Sequence, residues 1–223
     1  MPDVDGQLVG IAQLVLQMID IPIAAKITDS FNPHGVSLEA PSFERVFRFL
    51  KQCFIIGKWS PECHIIAIAL VVRLINSTAQ QLTKDNWTYL IFIGLLLAQK
   101  TWDDIPLTNQ EFSVLWHSVC VHTNNTVLPC RILLNLVNRM EEAFLGMIYF
   151  DCFVSRRTYF LFFFELRDKV QEISPRPRRP LTMQGAAQFN AGFRTLSRPP
   201  ALLPRQHADA PLCQFARGRA VLS

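Results

Sequence analysis

Between Thr83 and Asp104 the chain reads TKDNWTYLIFIGLLLAQKTWDD, apolar on every side of a helix for about three turns before it ends abruptly in charge. Trp87, Leu90, Ile91, Gly94, Leu95 and Ala98 recur at the spacing of one helical face, and Tyr89, Phe92, Ile93, Leu96 and Leu97 fill the others. No face is left for water. Such a helix belongs at the centre of a bundle, with its C-terminal end delivering Lys100, Asp103 and Asp104 to the surface.

The same pattern predicts the other elements. Leu8, Ile11, Ala12, Val15, Met18 and Ile19 form one face of a helix that stops before Pro22. A loop is expected over residues 31–41, where Asn-Pro, His-Gly and Ala-Pro pairs interrupt. From Ser42, an expected N-cap, Phe43, Val46, Phe47, Leu50, Cys53 and Phe54 make a clean stripe opposite Glu44, Arg45, Arg48, Lys51 and Gln52. Ser60-Pro61-Glu62 is a helix start, and the nearly continuous apolar HIIAIALVVRLI that follows predicts a second central helix to about Ser77.

Thr83 is the expected cap of the opening stretch, and Thr108-x-x-Glu111 has the form of a capping box before Phe112, Leu115 and Trp116. Residues 117–136 fit no period and read as an insertion or irregular loop. Regularity returns at Val137, Met140, Phe144, Met147 and Ile148, and again from Ser155 through Tyr159, Phe162, Phe163, Leu166 and Val170. About seven helices and no convincing strand predict an all-α bundle. The expected organisation is an N-terminal helix and loop over 1–41, the main helical body over 42–173, and a tail over 174–223.

Composition changes this picture only at the tail. Of 22 Lys and Arg and 18 Asp and Glu in the 223-residue chain, eight arginines and one aspartate fall beyond Ile173, together with seven prolines. The body is thus slightly acidic and the basic charge belongs to a tail expected to be disordered, which gives no support to nucleic-acid binding. The apolar runs at 65–72 and 89–98 are too short to cross a membrane. The start Met1-Pro2-Asp3 is neither a signal peptide nor a myristoylation site, so a soluble protein of the cytoplasm or nucleus is expected. High apolar content alone raises a membrane-associated helical protein as a reading from another class.

No pattern for catalysis stands out: there is no glycine-rich phosphate loop, no Gly-x-Ser-x-Gly and no His-Glu-x-x-His. A non-enzyme without cofactors is expected. His117, Cys120, His122 and Cys130 have ligand chemistry, but their spacing matches no zinc module and no metal is assigned. The six cysteines contain no CxxC pair and read as packed thiols. His64, on an apolar helix, reads as a hydrogen-bonded core histidine. Lys100 and Glu141 each interrupt otherwise apolar helices.

VFRFLKQCFIIGKWSPECHIIAIALVVRLI, the Asn86-Trp87 pair, LLLAQKTWDD, NRMEEAFLGMIYF and SRRTYFLFFFELRD together resemble the cyclin box of the cyclin Y family, close to fungal cyclins of the phosphate-sensing type. The resemblance covers roughly residues 42–116 and 137–168. It implies a single cyclin box and a regulatory subunit that binds, and activates, a cyclin-dependent kinase of the PFTAIRE or a related type by holding its regulatory helix inward. Lys100 and Glu141 would be the pair that grips that helix, with Phe43, Phe47, Arg48 and Trp102 joining the interface. A cyclin-box scaffold that binds without activating is the alternative.

The sequence departs from the family in lacking its long N-terminal extension and myristoylated glycine, in the length of 117–136, and in its tail. Within that tail Arg194, Ser197 and Pro199 have the Arg-x-x-Ser-x-Pro form recognised by phosphoserine-binding adaptors of the 14-3-3 type. Ser174 precedes a proline, so Ser197 and Ser174 are the expected phosphosites.

Overall fold

The computed structural model describes residues 3–19, 31–33, 40–78, 81–123 and 131–173, within the unit Met1–Glu172 and the first residue beyond it. Every regular element among them is a helix: α1 (Val4–Ile19), α2 (Phe43–Gly57), α3 (Glu62–Ser77), α4 (Trp87–Trp102), α5 (Asn109–His122), α6 (Leu134–Met147) and α7 (Arg156–Ile173), apart from a single 3₁₀ residue at Phe31. The all-α expectation holds. The tail, with Ser174 and Ser197, lies outside the described residues, as do 124–130 and most of the loop before α2.

The opening stretch is the centre of the molecule: Trp87 to Gln99 of α4 are all buried. Its closest neighbour is α3, buried from Cys63 to Val72. Gly94 makes that approach feasible, because a Cβ there would stand 3.1 Å from Val71 Cγ2 and 3.2 Å from the Ala67 carbonyl oxygen. Around this pair α1 packs on α2 and α3, α2 on α5, and α6 on α4 and α5.

Trp116 joins three of these helices. It stacks on Tyr89 at 5.0 Å and meets Phe92 at 4.9 Å and Phe49 at 6.3 Å edge to face, so α2, α4 and α5 share one aromatic cluster. α7 lies against α1, where Gly10 has no side chain to strike the Leu166 carbonyl: a Cβ would come within 2.7 Å of its oxygen. Lys169 donates to Gln17 at 2.7 Å across the same contact.

The local starts and stops follow the sequence in part. Ser42 accepts from the Arg45 N–H at 3.3 Å, as its cap position predicts. The Thr108 box is complete: Thr108 Oγ1 accepts from Glu111 N–H at 3.3 Å, and Glu111 Oε2 accepts from Thr108 N–H at 2.7 Å. Both Thr108 contacts hold the Glu111 carboxyl below its usual range. Thr108→Ala is expected to cost about 1 kcal/mol of stability, measured as a lower urea midpoint with unchanged slope; an unaltered midpoint contradicts the cap.

Two expected caps are absent. Ser60 makes no side-chain cap for α3, and the carboxylate of Asp103, at the far end of α4, instead accepts from Ser60 N–H at 3.4 Å and from the Cys63 thiol at 3.6 Å. A negative group at a helix N-terminus is electrostatically favourable and ties the two central helices end to end. Thr83 does not cap α4, which begins at Trp87. Asn86 is fully buried and accepts from Thr83 N–H at 2.8 Å while donating to the Gln81 carbonyl at 2.8 Å, so residues 83–86 form a turn.

The irregular segment is shorter than its composition predicts. Residues 117–122 continue α5, and 134–136 already belong to α6, which leaves 123–133 as the connection. Val119 and Cys120 are buried one turn beyond Leu115 and Trp116, and this packing outweighs the poor helix propensity of the β-branched residues.

Candidate functional site

Lys100 stands in the last turn of α4, where the helix emerges from the core and where a cation is favoured by the helix dipole. On α6, Val137, Met140 and Phe144 are buried, and Glu141 sits at the edge of that stripe. The two side chains meet: Lys100 Nζ lies 2.7 Å from Glu141 Oε1 across 41 residues of sequence. Asn109, the first residue of α5, completes the group. Its Oδ1 accepts from Lys100 at 2.5 Å, and its Nδ2 donates to Glu141 Oε2 at 2.6 Å and to Asn138 Oδ1 at 2.7 Å.

The ends of α4, α5 and α6 are thus fastened by one charge-assisted network. An ammonium has three hydrogens, and the two accounted for here go to Asn109 and Glu141. The Lys100 side chain remains about one-third exposed and that of Glu141 less than half as much. Asn109 escaped the sequence reading because the capping box fixes only its place at the start of α5, whereas its partners arrive through tertiary packing.

Trp102 follows one half-turn later. It is 53% exposed and lies parallel to the Tyr159 ring of α7 at 6.5 Å, so one face is partly covered and the other open. Burial first, then the nearby Glu62 and Cys63, push the Tyr159 phenol up to about 12, which keeps it neutral at any physiological pH.

A second group of aromatic residues was hidden in what reads as the end of a helix. α6 stops at Met147, and the connection to α7 exposes Tyr149, Phe150 and Phe153 at 80%, 70% and 75%. Tyr149 and Phe150 adopt left-handed backbone angles, φ 54° and 58°, uncommon for side chains of this size. Arg73 of α3 holds the turn by donating to the carbonyls of Asp151 and Phe153 and pairing with the Asp151 carboxylate at 3.5 Å. Ser77 adds a bond to the Met147 carbonyl at 3.0 Å.

The Cys152 thiol is pushed up mainly by burial, partly offset by Arg73 and reinforced by Asp151 and Glu141. One sequence signal could have revealed these aromatics: Tyr149 and Phe150 fall off the stripe that ends at Phe144 and Ile148.

Phe43, Phe47 and Arg48 lie on α2. Phe43 stacks on Phe47 at 6.0 Å, Lys51 Nζ lies 5.6 Å over the Phe47 ring, and Arg48 pairs with Glu44 at 3.1 Å. Lys51 also reaches Asp5 of α1 at 3.4 Å. These contacts run within α2 and to α1, and none among the described residues links them to Lys100 or Glu141.

Of the residues with ligand chemistry, Cys120 is buried, His122 Nδ1 donates to the Ser118 carbonyl at 2.7 Å, and Cys130 lies outside the described residues. No cluster of His, Cys, Asp and Glu among the described residues is arranged to hold a metal. No described helix is long and apolar enough to cross a membrane.

His64 is a core histidine, but the expected hydrogen bond is missing. It is buried between Phe54 and Trp59, with ring centroids at 5.5 and 5.9 Å, and neither ring nitrogen makes a hydrogen bond of normal geometry. Burial lowers its pKa to about 4, only partly offset by the nearby Leu50 and Pro61 carbonyls. The unfolded chain takes up this proton near pH 6.5 and the folded chain does not, so stability is complete above 6.5 and falls as the pH drops toward 4. Urea unfolding at pH 7 and 4.5 is expected to show a loss of about 2 kcal/mol beyond that of His64→Leu. Equal losses in the two proteins contradict a neutral buried imidazole.

No protein-family profile matches the chain, and no solved structure matches it.

Proposed function

We propose that the chain is a cyclin-like regulatory subunit that binds a cyclin-dependent kinase, of the PFTAIRE or a related type, and favours its active conformer. The observation that carries this reading is the meeting of Lys100 with Glu141 at 2.7 Å at the ends of α4 and α6. The cyclin-box resemblance assigns those two residues the grip on the kinase's regulatory helix. A fixed lysine and carboxylate suit that task, because charge-assisted hydrogen bonds set orientation as well as adding affinity.

The surroundings support it. Trp102 follows Lys100 on α4, and Tyr149, Phe150 and Phe153 project from the turn that follows α6, the helix carrying Glu141. Exposed aromatic side chains are frequent anchors for a partner's apolar surface. Asn109 keeps the lysine and glutamate in place before binding, which lowers the ordering cost of the complex. The kinase helix carries the glutamate that must pair with the ATP-positioning lysine, so holding it inward switches phosphoryl transfer on. The shift can be no larger than the difference in affinity for the two kinase states, about 1.4 kcal/mol per tenfold.

A non-activating scaffold, which would bind the kinase without favouring its active conformer, is the second reading. Phosphoryl transfer to a peptide substrate by the purified kinase, with and without the full chain, separates the two. Stimulation of about tenfold or more is the expected result; binding without stimulation supports the scaffold, and absence of binding contradicts both.

A further inference from the structure

α7 docks with Phe162 and Leu166 inward, against the α1 face opened by Gly10, and turns its opposite side to solvent. That outer side carries Phe160, Leu161 and Phe164 one helical turn apart or less, with Leu161 39% and Phe164 49% exposed. Phe160 stacks on Phe164 at 6.2 Å, so the rings form one continuous apolar strip. Arginines border it at both ends. Arg156 and Arg157 occupy the first turn, and Arg167 lies over the Phe164 ring at 5.7 Å.

None of these arginines has a carboxylate partner among the described residues. Two cations in the first turn, with no acid beside them, also oppose the positive end of the helix dipole. α7 gives up stability of its own by this arrangement, and a negative partner would recover it.

The geometry points to the outer face of α7 as a docking strip for an acidic amphipathic segment of another protein, which seats apolar residues on Phe160, Leu161 and Phe164 and places carboxylates against Arg156, Arg157 and Arg167. The inference stands on exposure and charge complementarity, and does not depend on kinase binding at Lys100 and Glu141. A protein segment fits better than an anionic bilayer. The apolar strip, residues 160–164, is less than a turn and a half long, the helix's other described apolar residues are buried or half-buried, and Asp168 and Glu172 are exposed beyond it. A helix lying in a membrane surface needs an apolar face along its length.

Random peptides about four helical turns long, displayed on phage, provide the test. They are selected on the full chain after depletion on the full chain carrying R156E, R157E and F164S together. The expected winners combine apolar residues at helical spacing with an excess of Asp and Glu, and a synthetic winner binds the triple variant about tenfold or more weakly. Winners without acidic excess, or equal affinity for the variant, overturn the proposal.

Thermal melts establish that the variant is folded. If it is not, Arg157→Glu and Phe164→Ser are used singly, each expected to weaken binding severalfold. Two further outcomes overturn the proposal. One is sedimentation with phosphatidylcholine–phosphatidylserine vesicles that these variants abolish while no peptide is selected. The other is self-association that the same variants remove.

Discussion

Trp116→Ala is expected to lower the stability of the bundle by about 3–5 kcal/mol, a large part of the ~5–15 kcal/mol that holds a domain of this kind folded. Trp116 is fully buried, and its ring touches Tyr89 and Phe92 of α4 and Phe49 of α2. Removing it loses the transfer free energy of an indole and leaves a cavity that three helices cannot all collapse into. The control is Trp102→Ala. Trp102 is half exposed against Tyr159, so its loss is expected to cost roughly 1 kcal/mol or less. Chemical denaturation of both variants checks the pair, and similar losses would contradict the packing described for α5.

Lys100→Glu has the largest expected effect on binding. It removes the bonds to Asn109 and Glu141 and sets a second carboxylate against the first. The cost in stability is expected to be about 1–2 kcal/mol, because the pair is only partly buried and solvent screens it. The cost in kinase affinity is expected to be larger, about 3 kcal/mol or roughly a hundredfold, because reversing a charge at the centre of an interface replaces attraction by repulsion. Glu141→Lys is expected to behave in the same way. The double exchange of Lys100→Glu with Glu141→Lys restores an ion pair inside the chain with its polarity inverted. Stability should return toward that of the original protein while kinase affinity should not, which separates a contact role from a structural one.

Much of this architecture is legible in the sequence, for identifiable reasons. A helix apolar on every face, as from Trp87 to Ala98, has nowhere to go but the centre, and the Thr108 box marks a helix start through contacts three residues apart. What was lost depends on contacts distant in sequence. Asp103 reaches the start of α3, where Ser60 was expected to cap, across 43 residues. Asn86 is the local exception: its buried amide finds partners three and five residues back and turns an expected helix start into a turn. Residues 117–122 are helical because Val119 and Cys120 are buried, which local propensity does not register.

The site divides in the same way. Lys100 and Glu141 were visible as charges interrupting apolar helices. Asn109, which holds both, and Tyr149, Phe150 and Phe153, displayed by a left-handed turn that Arg73 fastens, became visible only in three dimensions. Arg73 lies near the end of the first stretch that resembles a cyclin box, and its bonds to the turn give it a structural role. Phe43, Phe47 and Arg48 share an amphipathic stripe with core residues, and periodicity alone does not say that their contacts lie within α2 and toward α1.

The central claim is that Lys100 and Glu141 together form the kinase-facing grip. The most direct measurement is the affinity of a purified PFTAIRE-type cyclin-dependent kinase for the full chain and for the Lys100→Glu, Glu141→Lys double exchange, with the stability of both proteins measured alongside. The account predicts binding to the original chain, similar stability in the two proteins, and affinity for the exchange weakened by about a hundredfold. Equal affinity for both proteins, or no binding to the original chain, would contradict it.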